Sequence, residues 1–290
     1  MESRISSRTY FNQGLTGMTT AQNAIAKAMD EISSGTRDIR PSTDSQALSA
    51  LAELDHKVSL LQQFEKNANA ADERLGQAEN ALQHMTEVMM RAREAAVRFN
   101  SAANSDETRD ELRLEFATLR DQMLSLLNTQ DQRGDYIFAG TQVNTIPYAD
   151  ATSNFLGGAS STDVFLDVGE RRVAQVAWPL DGFESVLQTL NDLADSAGPT
   201  TVDAANFANI EDAEDRVISF RVEVGQAMTA VELSRSDNEG ELYGYLVAQS
   251  SLRDTDYTTA ITELNKQTLL LQATQGTLAK VQGLSLFNVI

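Results

Sequence analysis

The chain has 290 residues, 42 acidic against 23 basic side chains and a net charge of −19. That length allows two or three compact domains or one extended body, and so acidic a balance leaves no basic stripe for nucleic acid. No run approaches the roughly 20 apolar residues of a membrane span, and with no cysteine a disulfide framework, a thiolate metal site and thiol catalysis are closed to it.

The charge is unevenly spread. Residues 1–40 hold five basic and four acidic groups, and residues 257–290 hold two basic and one acidic. Nearly all the negative charge therefore lies between. Thr9 to Ala26 and Gln267 to Ala279 carry no charge at all. Such neutral ends suit a crowded setting where like charges from many copies would repel, with the acidic middle facing solvent.

In chain order, the start "MESRISSRTYFNQGL" has no apolar signal-peptide core. Phe11, Leu15, Met18, Gln22, Ile25, Met29 and Ile32 then step by alternating fours and threes, the pattern of a helix with one packed stripe. A second helix is expected from about Asp44 to Phe99. One of its heptad columns reads Leu61, Ala68, Leu75, Leu82, Met89, Ala96, and the other Phe64, Ala71, Ala78, Met85, Ala92, Phe99. At 1.5 Å per residue it spans roughly 80 Å, which points to a rod-like body. "SAANSDETRDEL" ends that helix and starts a third, with Asn104 or Ser105 as N-cap. Leu112, Phe116, Leu119, Met123 and Leu126 continue the stripe, and a turn, "DQRGDYIFAGTQ", follows.

The middle differs. "NFLGGASSTDVFLDVGERRVAQVAW" alternates apolar and polar residues between glycine-rich turns, which predicts short strands or a hairpin. "GFESVLQTLNDLADSAGP" predicts a short amphipathic helix stopped at Gly198-Pro199. The four prolines, Pro41, Pro147, Pro179 and Pro199, leave 42–146 and 200–290 free of proline, as long helical arms around a short irregular module require. Near the end, Tyr257, Leu264, Leu271 and Leu278 recur every seven residues, so the first and last helices are natural partners. The final "VQGLSLFNVI" has no charged side chain and ends on the apolar Leu284, Leu286, Phe287, Val289 and Ile290, which some other surface must cover.

Chemistry is sparse. His56 and His84 lie roughly 42 Å apart on one helix and share no centre. No acid, base and oxyanion donor group together. "SRSDNEGEL" lacks the alternating acids of a calcium loop, and the tripeptide Arg133-Gly134-Asp135 sits in a helix-ending turn. No catalytic residue, metal site or cofactor is expected, and the chain reads as no enzyme.

Three stretches resemble a known family. "EISSGTRDIRPSTDSQALS" resembles the segment joining the first two helices of flagellin-type proteins, with Thr43 and Ser45 where Asp and Pro are usual. "RGDYIFAGTQVNTIPY" looks like the turn and hairpin start of hook-associated junction proteins of the FlgL type, and "LNKQTLLLQATQGTLAKVQGLSLFNVI" is similar to their C-terminal helix with its LSLF motif. The resemblance covers most of 1–145 and 205–290. It implies a mainly α, elongated coiled-coil rod with paired terminal helices and a small inserted α+β or β outer domain. The implied domains are 1–40 plus 257–290 as an inner assembly core, 41–145 plus 201–256 as a helical rod, and 146–200 as the outer insert.

The implied function is that of a structural subunit forming the junction between flagellar hook and filament, exported without a cleaved signal through the flagellar type III pathway. Its partners would be copies of itself in a ring, a neighbouring hook-junction protein and flagellin, with an export chaperone on the C-terminal helix; nucleic acid and membrane insertion are not expected. The assembly interface is expected at Phe11, Leu15, Met18, Ile25, Met29, Ile32, Leu264, Leu271, Leu278, Leu284, Leu286 and Phe287. Two rival readings are a filament flagellin and an extracellular helical binding module with Trp178 in its ligand surface.

Overall fold

The computed structural model describes residues 2–42, 44–167 and 172–287, with side chains for 9, 11–42, 44–167 and 172–280. Six helices and a strand pair occur among them: α1 (Glu2–Ser34), α2 (Ser45–Phe99), α3 (Asp106–Leu127), β1 (Thr162–Phe165), β2 (Val173–Ala177), α4 (Glu184–Ala194), α5 (Ala204–Arg253) and α6 (Tyr257–Phe287). The mainly helical class with a small inserted sheet is therefore the observed one. The chain divides into two compact units, Met1–Val58 with Tyr243–Ile290, and Ser59–Leu242.

The Ser59–Leu242 unit is built on the long heptad stretch of α2. Every residue of the column Leu61, Ala68, Leu75, Leu82, Met89, Ala96 is buried, as are Ala71, Ala78, Met85, Ala92 and Phe99 of the second. A left-handed seam of this kind needs a partner with the same period. It is α5, whose Ile210, Ala213, Val217, Val224, Ala227 and Val231 are buried at alternating spacings, with Phe220 packed against them. Ion pairs along one edge fix the register as antiparallel: Glu79 accepts from Arg221 at 2.5 Å, and Glu65 meets Arg235 at 3.5 Å.

The start of α3 is capped by Ser105, whose hydroxyl accepts the Thr108 N–H at 3.2 Å, satisfying one of the orphan donors of the first turn. Its buried face is Leu112, Phe116, Leu119, Met123 and Leu127, so the last seam place falls to Leu127 rather than Leu126. Phe116 meets Phe99 edge-on at 5.8 Å between ring centres. α4 lies along α3, where Arg120 donates to Asn191 at 3.0 Å.

The hairpin of β1 and β2 is antiparallel, with Asp163 opposite Gln175 and Phe165 opposite Val173. Helix side chains hold it by its backbone. Ser234 and Asn238 of α5, both buried, each donate to the Leu166 carbonyl at 2.8 Å, and Arg74 of α2 donates to the Val176 carbonyl at 2.7 Å. Arg74 also donates to the Tyr136 carbonyl at 3.1 Å and pairs with Asp131 at 2.9 Å, both partners being nearly buried. Burial alone would raise the Asp131 pKa. The Arg133 and Asp135 N–H groups and the Arg74 charge outweigh it and hold that carboxyl below the usual range.

Two further positions set the entry to the insert. Gly140 has φ 59, and a side chain there would strike the Gly158 and Ser160 carbonyls, so only glycine fits. Tyr148 is fully buried; its hydroxyl donates to the Leu180 carbonyl at 2.9 Å and accepts the Phe183 N–H at 3.3 Å. Burial pushes its phenol well above the ordinary value.

Candidate assembly surface

The other unit carries the paired ends of the chain. Small residues recur on α1 every seventh position at Gly14, Ala21 and Ala28, with Gly35 just past its end, while larger ones recur on α6 at Tyr257, Leu264, Leu271 and Leu278. The two columns meet in antiparallel register. A Cβ on Gly14 would lie 3.0 Å from Leu278, one on Gly35 would lie 3.1 Å from the Tyr257 hydroxyl, and Ala21 and Ala28 between them are buried. Large knobs thus sit over small holes, letting two helices approach closely with little side-chain volume between them.

One end of this pair is clasped. The Thr255 N–H donates to the Gly35 carbonyl at 2.9 Å, its hydroxyl to the Glu31 carbonyl at 3.1 Å, and the Arg37 N–H to the Arg253 carbonyl at 2.7 Å. Asp55 accepts from Gln249 at 2.7 Å and from Arg253 at 3.1 Å. Asp256 caps α6 by accepting the Thr258 and Thr259 N–H groups and the Thr259 hydroxyl. The Thr259 hydroxyl first, and those N–H groups next, hold its carboxyl below the ordinary value.

The expected interface residues divide between two faces. Phe11, Met18, Ile25 and Ile32 of α1, with Leu264, Leu271 and Leu278 of α6, are half-buried along the pair. Leu15 and Met29 stand outside it, 43% and 56% exposed, and α6 adds Ile261 at 46%, Leu269 at 68% and Leu270 at 49%. The side chains of Leu284, Leu286 and Phe287 lie outside the described residues, as do Val289 and Ile290. What reading large apolar residues missed was the Gly/Ala column; its signal, small residues at a strict heptad on α1, was present in the sequence.

Other candidates do not form sites. His56 and His84 are exposed. Among the described residues no group of three His, Cys, Asp or Glu could hold a metal, and no helix is long and apolar enough to cross a membrane. The Arg133-Gly134-Asp135 turn folds around Asp131, which takes two of its N–H groups. Trp178 is only 1% exposed, so its indole belongs to the core.

Comparison with known proteins follows the same lines. Residues 5–143 match the bacterial flagellin N-terminal helical region. The chain is 27% identical to flagellar hook-associated protein 3 of Escherichia coli over 99% of both chains, and 25% identical to flagellin of Bacillus subtilis over 92% of both. Its fold is that of a putative flagellar hook-associated protein from Vibrio parahaemolyticus, with a TM-score of 0.65 at 18% identity over 73% of this chain and all of that one. The chain is thus similar to the flagellin N-terminal helical region over residues 5–143 and, along its whole length, to a flagellar hook-associated protein, as its three motifs imply.

Proposed function

We propose that this chain is a structural subunit of the bacterial flagellum, forming the junction between hook and filament, and that copies join through the outer faces of α1 and α6. The observation that carries the assembly reading is the exposed apolar set Leu15, Met29, Ile261, Leu269 and Leu270 on the terminal pair. Leu15, Leu269 and Leu270 lie within the charge-free stretches of a chain with net charge −19. Covering a large side chain gives about 1.5–3 kcal/mol, so a handful supplies a substantial drive to assemble. Residues 1–40 with 257–290 then act as the assembly core, 41–145 with 201–256 as the rod and 146–200 as the outer insert.

On this reading the protein works by shape and contact rather than by catalysis. It forms a homo-oligomeric ring against a neighbouring hook-junction protein and flagellin, and a chaperone covers α6 before export through the flagellar type III pathway to the cell exterior. The match to hook-associated protein 3 runs through 99% of the chain against 92% for the flagellin, which favours a junction part over filament material. Removing the last seven residues tests it. The truncated chain should keep the cooperative unfolding of the Ser59–Leu242 unit but fail to restore motility to cells lacking the wild-type chain. Normal filaments on such cells would refute the assembly reading, and long polymers of the purified chain would favour a filament flagellin.

A further inference from the structure

The Ser59–Leu242 unit has its own unpartnered apolar surface, separate from the terminal helices. On α5 the outward residues Ile218, Ser219, Val222, Gly225, Gln226 and Thr229 are all exposed and none is charged. Ile218 and Val222 are 47% and 56% exposed. A solvated helix face ordinarily carries charge, and this one also holds a helix-interior glycine, Gly225, whose Cβ would meet nothing within the chain. α2 offers a second patch, with Met90 and Val97 one heptad apart at 52% and 61% exposed.

The two patches have opposite electrostatic surrounds. Residues 90–98 contain three arginines against one glutamate, and residues 211–223 contain five acids against two arginines. Arg93 already meets Glu214, and Arg98 meets Glu94 and Glu115. Arg91, also exposed, has no ion-pair partner among the described residues. A surface that is basic and apolar in one place and acidic and apolar in another is complementary to a copy of itself.

We propose that the Met90–Val97 face of α2 in one copy seats on the Ile218–Val222 face of α5 in the next. This deepens the junction-subunit reading and rests on it, because copies added to one assembly share a direction. With Glu79 facing Arg221 and Glu65 facing Arg235, Ile218 lies level with about residue 82 of α2 and Val222 with about residue 78. Parallel copies then bring Val97 over Ile218 at a shift of about 22 Å along the helix pair and Met90 near Val222 at about 18 Å, two shifts less than one helical turn apart. A head-to-tail contact of this kind closes into a ring where the rods tilt enough to cancel that shift about the ring axis, and otherwise climbs as a helix.

The absence of cysteine makes the test direct. V97C and I218C chains, each with one new thiol, are expressed together in cells lacking the wild-type chain, and isolated hook–filament particles are oxidised. The two positions are also roughly 20 Å apart within one chain, far beyond the reach of an intrachain disulfide, so a V97C/I218C double variant reports only contacts between copies. The expected result is a V97C–I218C dimer at ten times or more the yield of either same-site dimer. Dominant same-site dimers would show an antiparallel pairing and overturn the proposal. So would particles that contain both variants, with retained motility, but yield no cross-link. Particles lacking the chain altogether would overturn the junction reading itself, and this contact with it.

Discussion

The two units bury their heptads in opposite ways. In Ser59–Leu242 the large residues are inside: Leu75, Leu82, Met85 and Met89 of α2 are 0% exposed. In the unit of the chain ends, the residues buried between α1 and α6 are Ala21, Ala28 and Ala260, and Leu15, Met29, Leu269 and Leu270 face outward. The same sequence period thus builds a finished core in one place and an unfinished surface in the other. Periodicity tells where helices pack; side-chain size at the seam tells whether the chain alone completes the packing.

Substitutions can break or sharpen this contrast. The largest effect is expected inside the finished core, where Phe116→Ala removes a buried ring and its edge-on contact with Phe99. That should cost about 3–5 kcal/mol, read as a lower denaturation midpoint. Asp131→Ala should come next at about 3 kcal/mol, because it leaves the nearly buried Arg74 guanidinium without its anion. The milder Asp131→Asn should flatten the acid limb of the stability curve. A carboxyl held below its ordinary value stabilises the fold above about pH 4, and that stabilisation is lost as pH falls from there through the folded-state pKa. An unchanged acid limb in that variant would show the pair to be unimportant.

Ala28→Leu should force the terminal pair apart, at about 1–3 kcal/mol for overpacking. Its signature is local: faster hydrogen exchange in α1 and α6 with unchanged protection in α2 and α3. Tyr148→Phe should cost about 1–2 kcal/mol by leaving the Leu180 carbonyl and Phe183 N–H without their partner. Smallest of all in the isolated chain is Leu269→Ser, expected within about 0.5 kcal/mol of wild type, yet it should sharply reduce assembly in a motility assay. A clear loss of monomer stability there would place Leu269 in the chain's own core.

Much of the fold was legible from residue spacing. The α2 columns hold because their period is unbroken and their residues mostly large or alanine in a strict pattern. The Ser105 cap, the hairpin and α4 were marked by local chemistry. The α1 seam was harder, since a count of large apolar residues cannot separate the column facing α6 from the column facing away; only the glycines and alanines do so. The α5 seam was hidden by its alanines and by Ser234 and Asn238, polar residues that sit in seam positions to hold the hairpin. Nothing local marked Arg74, whose carbonyl partners lie 62 and 102 residues along the chain.

That hairpin seat has a consequence for how the molecule can change. Ser234, Asn238 and Arg74 grip carbonyl oxygens, which every amino acid supplies alike. The outward side chains of the hairpin are therefore free to be replaced without loosening its anchorage, much as a tool head can be exchanged on a fixed socket. The exposed side of the hairpin can change in charge and shape while the helices that seat it keep their own residues.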